Sequence, residues 1–144
     1  MPALDRFESR IGWRFADQAR LLEALTHPSY AHEHPPDPSN ETLAFLGDAV
    51  LGLVVAEWVR AEAPGAGPGL LTPRRAEIVS ARTLAAWAVK LELGAGVRLG
   101  RGEELAGGRA RESVLASALE ALVAALYLEG GLPPVRRLVS QLIA

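Results

Sequence analysis

Apolar residues recur along most of this chain at the three- and four-residue spacing of a helix face. Leu4, Phe7 and Ile11 mark a short amphipathic helix near the start. Ala16 and Asp17 then precede a second periodic stretch carrying Leu21, Leu22 and Leu25. In THPSY (26–30), Pro28 disfavours helix at His27, and HEHPPDPSN (32–40) has the composition of a turn-rich loop. Ser39 or Asn40 is placed to cap a long helix reaching about Ala63. That helix is apolar nearly all round, which predicts a buried central element. APGAGPG (63–69) ends it, and Thr72-Pro73 restart a helical stretch that reaches Leu91 as one piece or two. Gly94 and Gly96 stop that stretch, and a glycine- and arginine-rich loop follows over 97–113. A second long apolar helix spans about 111–128, closed by Gly130-Gly131, and Pro133-Pro134 open a last one. No segment reads as a strand. The pattern predicts an all-α bundle with two long apolar helices at its centre.

Composition narrows this picture. With 144 residues, 49% of them hydrophobic, the chain has one domain's worth of core. No uninterrupted apolar run has the length of a membrane span, and the opening MPALDRFESR lacks the pattern of a secretory signal. Cysteine is absent, which excludes disulfides and thiolate metal sites and makes the cytoplasm the expected location. A formal net charge of −2 argues against a strongly basic, non-specific nucleic-acid binder. Lys90 is the only lysine, Asn40 the only asparagine, and prolines number 10. Such a bias fits a thermophile or a GC-rich genome.

The informative positions are acids on the two apolar helices. Asp48 lies in a run that otherwise reads as core, and Glu120 lies in ASALEALVAAL, surroundings equally apolar. An isolated buried carboxylate is costly unless it is paired or binds a cation. Glu41 precedes Asp48 by seven residues and so shares its helix face. If the two helices pack together, Asp48 and Glu120 converge, and such a pair suits a hard divalent cation. An ordinary ion pair with arginine is the competing reading.

Three ordered blocks resemble ribonuclease III: RFADQARLLEALTHPSYAHEH, NETLAFLGDAVL and GRGEELAGGRARESVLASALEALVAALYLEGG. The resemblance covers almost the whole chain. It implies a ribonuclease III-like helical homodimer, a single domain over 1–144 without the double-stranded-RNA-binding domain that follows in ordinary bacterial members. It also implies Mg²⁺-dependent (or Mn²⁺-dependent) hydrolysis of double-stranded or structured RNA in RNA processing. Under it, Asp48 and Glu120 are metal ligands, Glu41 stands beside the catalytic site, and Phe45 docks into the partner subunit. Glu103 matches a loop glutamate of the family.

The match breaks where the family carries further acids. Four positions before Asp48 stands Ala44, three before Glu120 stands Ser117, and near Pro68 no acid is evident. Alanine offers no ligand, and a serine hydroxyl is a weak neutral one. The short Mini-III class lacks acids at the same two helix positions and still cuts RNA. Without a separate RNA-binding domain, RNA affinity would rest on local arginines: Arg74, Arg75, Arg98, Arg101, Arg109 and Arg111. Three functions follow as expectations. The first is an Mg²⁺-dependent endoribonuclease with a depleted metal site. The second is a catalytically inactive relative that binds structured RNA or a ribosomal particle, with a separate protein supplying RNA binding as a further possibility. The third is a protein-interaction dimer.

Overall fold

In a computed structural model, residues 2–144 are described, with side chains from Asp5 onward; the packing of Leu4 lies outside these. The helices are α1 (Pro2–Ile11), α2 (Gln18–Ala24), α3 (Pro28–Glu33), α4 (Glu41–Glu62), α5 (Pro68–Ile78), α6 (Ala81–Lys90), α7 (Arg101–Leu105), α8 (Glu112–Gly130) and α9 (Leu132–Ile143). No strand occurs among the described residues, and a single bridge joins Thr26 to Arg98. The protein is an all-α bundle.

Helix α8 is its axis. Nearly every residue from Val114 to Leu126 is buried, with Ser117 and Glu120 the partial exceptions. α4, α6, α2 and α9 pack around it. Leu119 and Leu122, with no exposed surface, stabilise the fold by about 2 kcal/mol apiece through removal of apolar area from water. By length and composition both α4 and α8 could cross a membrane, contrary to the reading of the sequence, yet here they form the centre of the bundle. α4 also departs from a wholly buried element. It covers Leu43, Gly47, Val50, Leu51, Val54, Val55 and Val59, but Phe45 is 81% exposed and Leu53 49%. With Ala49 exposed between them, these residues form an uncovered stripe at i, i+4, i+8.

Local chemistry fixes several boundaries. Asp17 and Ser80 cap α2 and α6 through the backbone N–H groups of Arg20 and Thr83. His27 caps α3 by accepting from the Ser29 N–H, so the segment read as loop begins with a helix that runs to Glu33. Asn40 precedes α4 as expected, but its side chain does not cap it. Its Nδ2 donates to the Ala24 carbonyl at 3.1 Å and its backbone N–H to the Thr26 carbonyl at 2.8 Å, which binds the start of α4 to the end of α2. The stretch from 72 to 91 is two helices, parted at Val79-Ser80. The first starts a turn before Thr72, at Pro68, and Pro73 lies inside it. The backbone bond that Pro73 cannot make falls on an exposed turn, where water can serve the orphaned carbonyl.

The glycine-rich loop is more ordered than its composition suggests. It holds α7 and the 3₁₀ turn Gly108–Ala110. Arg109 Nη1 donates to the carbonyls of Gly94 and Val97, both at 2.7 Å, while its Nε and Nη2 engage Glu104. Arg111 pairs with Glu103. Arg98 donates to Thr26 Oγ1 and stacks its guanidinium 4.6 Å from the centroid of the Tyr30 ring. These contacts hold the segment against the end of α2 and the start of α3.

Candidate active site

Helices α4 and α8 run side by side in the same direction. Gly47 meets Glu120, and one turn earlier Glu41 and Ala44 border the same groove as Ser113 and Ser117. The approach at Gly47 is so close that a Cβ there would lie 1.7 Å from the Glu120 carbonyl oxygen. Only glycine permits this contact, and it sets the next residue, Asp48, beside the Glu120 side chain. The convergence expected from the sequence is present.

Its electrostatic setting differs from the expectation. Asp48 is exposed, because it lies on the edge of the uncovered face of α4 and not in the core. The apolar run around it fills two surfaces, one against α8 and one open, and the pattern alone merges them. Glu120 is the half-buried member. Its carboxyl is pushed up to about 7, first by burial and then by the hydrogen bond and negative charge of Asp48. The pair therefore carries unneutralised negative charge in a partly dry cleft. No arginine neutralises either acid within salt-bridge distance among the described residues.

The donor chemistry suits one hard, oxygen-seeking cation anchored at two carboxylates, with its remaining positions filled by water or substrate oxygens. No third histidine or acid joins the pair in a metal-holding cluster among the described residues. Glu41 remains two turns away, where its carboxylate accepts from Ser39 Oγ at 3.1 Å. Ala44 and Ser117 face each other across the intervening space, an open groove of about 360 Å³. His27, Asn40 and Ser113 also line it. Nothing in local spacing marks His27 or Ser113 as a site residue; their place inside the matching blocks is the one signal the sequence offers. Pro68 is exposed at the start of α5.

The six arginines divide. Arg98, Arg109 and Arg111 are engaged within the fold, as is Glu103. Arg74 makes only a long pair, 3.8 Å, with Glu77. Arg75 and Arg101 are exposed, and neither side chain has a hydrogen-bond or ion-pair partner among the described residues. Phe45 stands at the surface.

Comparison with known proteins agrees with this architecture. A profile of the "Ribonuclease-III-like" family matches residues 17–144. "Ribonuclease 3" of Caldanaerobacter subterraneus subsp. tengcongensis is 50% identical over 140 residues, covering 96% of this chain and 61% of that protein. "Ribonuclease 3" of Geobacter sulfurreducens is 49% identical over 134 residues, covering 92% and 54%. This chain thus spans between half and two thirds of the length of these curated relatives. The nuclease domain of ribonuclease III from Campylobacter jejuni superposes with a TM-score of 0.91 at 35% identity, covering 97% of this chain and 95% of that one. That structure is described as showing flexibility in a region involved in dimer formation; a second structure of the same domain gives a TM-score of 0.90. The chain belongs to the ribonuclease III-like family and carries its nuclease domain.

Proposed function

We propose that this chain is an endoribonuclease domain that hydrolyses double-stranded or structured RNA with Mg²⁺ at a depleted site. The observation that carries the reading is the convergence of Asp48 and Glu120 across a glycine contact, with no basic side chain paired to either acid among the described residues. The relatives named "Ribonuclease 3" support the reaction class. Asp48 and Glu120 would hold the ion, with Mn²⁺ as an alternative. Bound there, it supplies Lewis-acid polarisation of a phosphate oxygen and a more acidic water. Asp48, exposed on the cleft edge, would supply one carboxylate to the ion. Glu120, half-buried at the helix seam, would supply the other and would have to release its proton to do so. Arg75 and Arg101 offer unpaired guanidinium groups for phosphate oxygens.

The active form in this reading is a homodimer. The stripe Phe45–Ala49–Leu53 is the apolar surface that a second copy would cover. Incubating the protein with a duplex RNA and Mg²⁺ tests the reaction. Cleavage is expected for wild type and not for Asp48→Ala; identical RNA recovery from both, at every ion concentration, overturns it.

One observation favours a second reading, an RNA-binding relative without catalysis. Ala44 and Ser117 leave two converging carboxylates where the family uses more, and Glu41, on the wall of the same groove, forms no metal-holding cluster with them among the described residues. That protein would retain duplex RNA in chelator, with an affinity weakened by salt, and would never cut it.

A further inference from the structure

The groove beside the carboxylate pair has a chemistry of its own. It lies one to two turns nearer the helix starts, between about 5 and 12 Å from the pair along the axes at a rise of about 1.5 Å per residue. Small side chains at positions 44 and 117 leave it open, and Val114 and Pro28 give it an apolar floor and wall.

Its polar groups are a mixed set. Asn40 is only 2% exposed. Its Nδ2 is bonded to the Ala24 carbonyl, but its Oδ1 accepts from no group among the described residues. No unpartnered side-chain polar atom is sealed from solvent among the described residues, so this acceptor keeps its small opening at the groove, where a donor from water or a ligand can reach it. The Glu41 carboxylate is a second acceptor on the same wall. On the other side His27 Nδ1 accepts from the Ser29 N–H at 3.1 Å and faces Ser29 Oγ at 2.8 Å. With Nδ1 occupied as an acceptor, the neutral ring carries its proton on Nε2, which is a donor. The hydroxyls of Ser113 and Ser117 can act in either sense.

The Glu41 charge makes this a poor seat for a phosphate. An unsatisfied acceptor, a charged acceptor, an imidazole donor and an apolar floor instead suit a neutral hydroxyl on a compact ring. We propose that the groove seats a ribose of the RNA strand beside the reacting phosphate, its 2′-hydroxyl donating to Asn40 and Glu41 and accepting from His27 and the serines. The groove would then distinguish RNA from DNA within the active site. The inference rests on the nuclease-domain reading above and names the part of the substrate that this groove reads.

The test compares binding of a short RNA duplex with that of the same duplex carrying 2′-fluoro groups throughout. Fluorine at this position keeps the sugar in its RNA-like shape but cannot donate a hydrogen bond. Dissociation constants are measured in chelator, so that no strand is cut. Wild type is expected to prefer the hydroxyl duplex by about fivefold or more, the worth of one donated bond. Ser117→Val, which fills the groove, and Glu41→Ala, at an exposed position that cannot disrupt the core, are each expected to shrink that preference. Taking the ratio cancels the general gain in affinity from removing the Glu41 charge. An unchanged ratio in both variants overturns the proposal, and so does a failure of wild type to retain RNA. Mg²⁺-dependent cleavage with an unchanged ratio would sink the groove and leave the nuclease standing. A reduced ratio without cleavage would do the reverse.

Discussion

The α4–α8 seam and the segment from Val97 to Arg111 use charge in opposite ways. In the seam, apolar packing and one glycine contact hold the helices together, and Asp48 and Glu120 are left unneutralised. In the 97–111 segment there is little core. Charged groups do the holding there: Arg109 grips two carbonyls and Glu104, Arg111 takes Glu103, and Arg98 takes Thr26 and Tyr30. A charge is available for chemistry where the backbone is already secured by other means. Where the backbone needs it, that charge belongs to the fold.

The contrast is broken most severely at Gly47. Gly47→Ala must push α8 away from α4 and is expected to cost about 3 kcal/mol, read as a lowered midpoint in denaturant unfolding. A midpoint equal to wild type would mean the seam is not the tight contact described. Restoring acids tests the other side of the seam. Ala44→Glu with Ser117→Asp places two carboxylates in open space and should raise Mg²⁺ affinity at least about tenfold, measured by calorimetry. Unchanged affinity would show that the two resident acids do not mark an ion site.

Arginines sharpen the comparison further. Arg109→Ala leaves the Gly94 and Val97 carbonyls without their donor and should lower stability by about 2 kcal/mol. Arg75→Ala should leave stability unchanged, weaken RNA binding a few-fold, and reduce the slope of log affinity against log salt by about 1. Equal effects of the two variants on salt slope would erase the distinction between engaged and free arginines.

The subtlest effect is on pH. Glu120 titrates at about 7 in the folded protein against an ordinary 4.5, so the folded state binds this proton more tightly than the unfolded chain does. The contribution of this group is therefore most favourable below the lower value and is lost as pH rises through the upper one. Asp48→Asn should reduce this decline, since Asp48 is part of its cause, but burial, the larger cause, should keep some of it. A proton titration of Glu120 unaffected by the substitution would show that the two carboxyls do not interact.

Much of this was legible in the residues. The periodicity of 111–128 marks the central helix, and the acids at 48 and 120 stand out as polar breaks in apolar runs. The misreadings have physical origins. Phe45, Ala49 and Leu53 have the hydrophobicity of a core, but within one chain nothing covers them, and a pattern cannot separate an interior from an uncovered apolar surface. Asp48 inherited that error and was expected to be buried. Pro73 suits the first turn of a helix, but so does Pro68, and only the packing of Leu71 and Ile78 shows which begins it. The arginines of 97–111 read as free positive charge because a sequence displays charges without their partners. The groove at His27 and Asn40 depends on three segments brought together, which no local spacing encodes.

The contact at Gly47 bears on how other chains carrying this motif can be interpreted. A glycine there is demanded by backbone against backbone, whatever the protein does. It should persist in descendants that have abandoned the reaction as faithfully as in those that keep it. The aspartate that follows makes no such packing demand and is free to change once the reaction no longer needs it. In the two-letter signature Gly-Asp, the first letter is a record of architecture and the second a record of use.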